Sequence, residues 1–181
     1  MIEMKPAYEL YSWRLEGIPH ETAVAITNTV LTRHGAEIDQ DCVLILNDHE
    51  DQMSSTDFVN DAKTALARLA EWPSLGSIEY HLGDVSVVAT FHLRDEGSPE
   101  RSVGCIQLSV SSDWFDRSRP ISEQEFGSIA RELHAAARAD RTVMTWSGRP
   151  SDVSWRDELQ RLQGGVREGV YDVDLRLPAM D

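Results

Sequence analysis

Apolar residues recur along this chain with two distinct periods. Glu9 to Leu15 is rich in Tyr and Trp and predicts a first strand. Gly17-Ile18-Pro19 is expected to end it. Ala23, Ile26, Val30 and Leu31 then fall on one face of a helix over His20 to His34, with Gly35 at its end. Cys42 to Leu46 reads CVLIL, a continuous apolar run that suits a strand buried on both faces. It leads into the turn Asn47 to Asp51. Phe58, Ala62, Ala65, Leu66 and Leu69 draw a second helical stripe. Ser54, Ser55 or Thr56 would cap that helix, and Trp72-Pro73 would stop it.

Strict alternation follows. Ser77 to Leu82 and Val85 to Leu93 flank Gly83-Asp84, the strongest hairpin signal in the chain. The polar segment Arg94 to Ser102 leads to a third strand over Val103 to Val110, which completes a meander. Ser122-Glu123-Gln124-Glu125 matches a capping box ahead of the stripe Phe126, Ile129, Ala130, Leu133 and Ala137. Arg141 to Trp146 predicts a strand, Ser154 to Gln163 a short helix, and Val170 to Leu177 a last strand. The expected fold is a single α+β domain over residues 1–181. Its expected core is a mixed sheet with a three-stranded antiparallel meander, covered by helices.

Charge changes this picture most in one place. Between Ala36 and Ala62 stand Glu37, Asp39, Asp41, Asp48, Glu50, Asp51, Asp57 and Asp61, without one Lys or Arg. This window carries eight negative charges of a formal net −14. Such density repels itself and gives the fold nothing directly. Asp57 and Asp61 have a structural use in the first turn of the expected second helix, where the dipole favours acids. The strand-end acids Asp48, Glu50 and Asp51 have none, so they define the candidate site, with Glu37, Asp39 and Asp41 beside them. An acidic surface repels phosphate and anionic lipid, which argues against nucleic acid and membrane partners. It suits a basic protein surface. Trp114 and Phe115, between Asp113 and Asp116, are the candidate apolar anchor.

Catalytic chemistry is not signalled. The six histidines have no zinc spacing, and the acidic turn lacks the glycine and the twelfth-position glutamate of a calcium loop. No metal and no cofactor is expected. There is no G-x-S-x-G elbow and no phosphate-binding glycine loop. Cys42 and Cys105 lie in apolar runs and read as reduced, buried thiols. His81 and His92 are out of phase with the apolar face of the hairpin and should share its polar face. Met1 to Trp13 is not a secretion signal, and no apolar run approaches the ~20 residues of a membrane helix, so a cytoplasmic protein is expected.

Small size, acidity, α+β patterning and the lack of catalytic motifs give a profile that resembles bacterial toxin-immunity proteins. That resemblance implies a cognate toxin whose working surface is cationic. Two alternatives stand beside it. One is a small hydrolase or transferase with a site near Asp48 to Asp51. The other is a non-catalytic adaptor subunit that self-associates through the sheet edge. The sequence leaves the oligomeric state open.

Overall fold

The computed structural model describes residues 8–39, 42–47, 54–59, 61–83, 85–95, 100–110, 123–146, 160 and 173–176. In chain order they form β1 (Tyr8–Pro19), α1 (His20–Arg33), β2 (Cys42–Asn47), β3 (Ser54–Val59) and α2 (Ala62–Glu71). After these come β4 (Gly76–Leu82), β5 (Val85–Leu93), β6 (Ser102–Val110), α3 (Glu123–Ala137), β7 (Arg141–Trp146) and β8 (Val173–Arg176). The eight strands join in one sheet, in the order β3-β2-β4-β5-β6-β1-β7-β8.

The alternating segments pair as their pattern demands. Tyr80 faces Val87 across the β4–β5 hairpin, and Phe91 faces Ile106 across β5–β6. This meander is the middle of a larger sheet. All seven ladders between the named strands are antiparallel, which corrects the expectation of a mixed sheet. The apolar run of β2 suits burial on both faces. Cys42, Leu44 and Leu46 are indeed buried, but Ile45, on the other face, is only partly so. The strand is flanked by antiparallel β3 and β4.

The second correction concerns residues 54–61. Ser54, Ser55 and Thr56 do not cap a helix, and Phe58 does not lie on one. They belong to β3, paired with β2 from Cys42↔Val59 to Asn47↔Ser54. Without β3, β2 would present a row of unpaired backbone groups, and pairing outweighs the helical spacing. The helix starts four residues after Phe58. Asp61 is its N-cap, accepting from the Thr64 backbone N–H at 3.1 Å and the Thr64 hydroxyl at 2.6 Å. Those hydrogen bonds, the hydroxyl first, hold the Asp61 carboxyl below its ordinary range. Asp57 lies opposite Leu44 in the ladder, so the helix dipole gives it no role.

The third correction is at Gly17-Ile18-Pro19, where β1 bends rather than ends. Its register against β6 shifts between Trp13 and Ile18 and resumes at Ile18↔Val103. Gly17 sits at φ +74°, and a Cβ there would meet the Ser102 side chain. Only glycine accommodates both demands.

All three helices pack on one face of the sheet. The core there includes Leu10, Leu44, Ile78, Phe91 and Leu108 from strands, with Leu31, Leu69, Phe126, Ile129 and Leu133 from helices. Leu66 is only partly buried against it. A smaller cluster of Tyr11, Trp13, Cys105 and Val143 lies on the opposite face. The rings of Tyr11 and Trp13 stack there at 5.6 Å. Among the described residues no helix is long and apolar enough to cross a membrane.

Candidate functional site

The acidic segment begins where α1 ends. Gly35, at φ +86°, turns the chain out of the helix. Glu37 then pairs with His81 at the end of β4, through two backbone hydrogen bonds of 2.8 Å, one in each direction. This isolated bridge fixes the start of the segment to the sheet. Two residues on, an Asp39 carboxylate oxygen stands 3.1 Å from His81 Nε2. The Glu79 carboxylate lies 3.9 Å from the same nitrogen and accepts a hydrogen bond from Ser86. Asp39 keeps 61% of its side chain exposed, so the cluster faces solvent.

Of the residues singled out from the sequence, Glu37 and Asp39 are therefore brought together on one strand end. Glu79 and His81 join them, which the linear charge window did not reveal. The signal was present in the period-two pattern: Glu79 and His81 share the polar phase of β4. Asp41, Asp48, Glu50, Asp51, Trp114 and Phe115 lie outside the described residues, as does the helix expected over 154–163 apart from Gln160.

The same carboxylates act on Cys42. Burial pushes its thiol up to about 11, with Glu79 and Asp39 adding to the shift. Cys105 is buried, and desolvation raises its thiol well above the ordinary value. Both cysteines are free and buried, and neither is activated as a nucleophile.

The sheet face opposite the helices is polar where β4, β5 and β6 meet. His81 and His92 share it, as their phase predicts. Ser77 and Thr90 hydroxyls pair across strands at 2.8 Å. His92 Nε2 lies 2.8 Å from Gln107 Oε1, the Gln107 amide donates to the Tyr11 hydroxyl at 3.4 Å, and that hydroxyl donates to Glu9 at 3.0 Å. These are cross-strand and near-neighbour contacts that fix side chains on the sheet. Further along, Arg141 is fully buried and donates two 3.0 Å hydrogen bonds to Asp174. Burial alone would raise the Asp174 carboxyl; hydrogen bonds from Arg141 and Arg176 outweigh it and hold the group below its ordinary range. Among the described residues no three His, Cys, Asp or Glu side chains are grouped to hold a metal.

No family model matches this sequence, and no curated protein matches it. Among solved structures the fold is similar to that of a T6SS protein of Pseudomonas aeruginosa, with a TM-score of 0.42 and 11% identity. The match covers 85% of this chain and 44% of that one, so this chain spans less than half of its neighbour's length.

Proposed function

We propose that this protein is an acidic binding protein that masks a basic surface of a partner protein, in the manner of an immunity protein neutralising its cognate toxin. One observation carries the reading. The unbalanced acidic window starts at a rigid point, because the Glu37–His81 bridge ties its first carboxylates to the sheet while Asp39 stays exposed. An exposed charge on a fixed backbone loses little entropy on docking and steers a basic partner efficiently. The reading extends the surface from Glu37 and Asp39 through Asp41 to Asp48, Glu50 and Asp51, with Trp114 and Phe115 as apolar anchor. Asp57 rejoins the candidate surface, since the dipole explanation for it has gone.

Binding kinetics against the basic protein recovered with this chain from its host test the reading. Asp39→Lys and Asp48→Lys with Glu50→Lys should each slow association about tenfold at low salt, and the difference should shrink as salt screens the charges. Association that is equally fast in all variants, with the fold intact, removes the acidic window from the interface.

A further inference from the structure

β8 is the shortest of the described strands and stands at one edge of the sheet, paired with β7. Its ladder sets Arg176 directly opposite Arg141. Like charges facing each other across a ladder repel, and Arg141 is fully buried, where water screens the pair poorly. One carboxylate reconciles them. Asp174, two residues before Arg176 and on the same face, accepts from Arg141 Nε and Nη2 at 3.0 Å each and from Arg176 Nη2 at 2.9 Å. From the helical face, His134 of α3 reaches the same pair of strands. Its Nδ1 lies 2.8 Å from the Thr142 hydroxyl oxygen of β7, which lies 2.9 Å from the Ser12 hydroxyl oxygen of β1. The ring also shares a hydrogen bond with the backbone of Arg176 in β8. We propose that β8 is an acid-released strand. Asp174 and His134 hold it from opposite faces while the one is ionised and the other neutral, and it leaves the sheet, with the other strands still paired, when either takes up a proton.

The two protons act on different partners. Once Asp174 is neutral, nothing on β8 offsets the facing guanidiniums of Arg141 and Arg176, and departure of the strand separates them. Burial alone would raise this carboxyl; the hydrogen bonds from both arginines outweigh it, so this hold is complete above the ordinary 3.8 and fails only below it. His134 answers at a higher pH. A neutral ring accepts the Thr142 hydroxyl proton at Nδ1, whereas a protonated ring can only donate there, and the buried hydroxyls of Thr142 and Ser12 must both turn. Burial lowers the pKa of the ring, against the Arg176 backbone and the Asp140 charge, which raise it. β8 packs against α3, so its departure returns the ring to water, where it takes the proton first. This hold therefore weakens as pH falls through the ordinary 6.5. Among the described residues, the charge that acts on His134 is Asp140, and those that act on Asp174 are Arg141 and Arg176. A short edge strand held in this way opens below the cost of global unfolding.

Backbone amide exchange of the full chain, corrected for the intrinsic effect of pH, tests the proposal. The amides of Val173 to Arg176 should exchange through a local opening, faster than those of β4 and β5, and their protection should fall several-fold between pH 7.5 and pH 5. His134→Gln keeps an acceptor and a donor but does not titrate. It should abolish that fall in β8 and leave any fall in β4 and β5, which follow global stability, as it is in the native chain. Asp174→Asn should release β8 at pH 7.5 already, raising its opening equilibrium at least about tenfold, and adding Arg176→Leu should recover part of the loss. The native chain overturns the proposal by itself if its β8 amides exchange at the rate of β4 and β5 at both pH values, or if their protection is the same at both. A His134→Gln variant that keeps the full fall in β8 would overturn it too, as would an Asp174→Asn variant whose β8 is as protected as the native strand.

Discussion

At the scale of single residues, His20 sets a pH dependence that can be separated from the rest. Its folded value, about 4, lies below the ordinary 6.5, because burial penalises the charged ring. The unfolded chain therefore takes up the proton first. Stability should fall as pH drops through about 6.5 and this contribution should level off below about 4, at a total of about 3 kcal/mol. Urea unfolding at pH 7.5 and at pH 4 measures it, and His20→Phe should lose about that much less between the two. Equal losses in both proteins would show that the ring is not the source. Asp174 acts in a lower window. Its folded pKa is depressed, so its contribution is complete above its ordinary 3.8 and is lost as pH falls further. Asp174→Ala leaves the fully buried Arg141 without its bidentate partner. It should cost about 3 kcal/mol, the low end for a buried pair, because Asp174 keeps 22% of its side chain exposed. Denaturant midpoints of this variant at pH 7 measure that cost.

At the scale of elements, α2 and α3 carry the apolar contacts that hold the helical layer to the sheet. Leu69 and Leu133 are fully buried, so either change to Ala should cost about 2–5 kcal/mol. Leu66→Ala should cost nearer 1 kcal/mol, since Leu66 is only half-buried. A Leu66→Ala as damaging as Leu69→Ala in the same denaturant series would mean the helix is rotated from this phase. The hairpin, β7 and the helical stripe of α3 were legible in the sequence because each has a strong local period. β3 was not. Phe58 stands at the right distance from Ala62 to extend a helical stripe, and only the otherwise unpaired edge of β2, the strand just before it in the chain, makes it a strand. The bend at Gly17 was visible as a break, but whether a strand stops or bulges there depends on β6, against which it resumes. Of the acidic site, the charge density and the shared phase of Glu79 and His81 were plain, while the Glu37↔His81 bridge that brings the two segments together is encoded by no local pattern.

At the scale of the whole molecule, the formal charge of −14 and the acidic window make opposite demands on folding and on binding. Like charges crowded within one stretch repel each other in the free protein, and salt relieves that repulsion over a Debye length of about 10 Å at 0.1 M. The melting temperature should therefore rise by a few degrees between very low ionic strength and about 0.15 M salt. Neutralising Asp48, Glu50 and Asp51 together, to Asn, Gln and Asn, should produce much of the same rise without salt, since it removes charge from the densest region. If those acids are there to meet a basic surface, the same triple variant should also associate more slowly with it. Greater stability with slower association is the pattern of a surface kept for binding at the expense of the fold. A variant that gains no stability at low salt and binds as fast as the native chain would show instead that these three carboxylates are well-spaced, solvated groups, and the search for the interface would move to Glu37, Asp39 and Glu79 on the strand end.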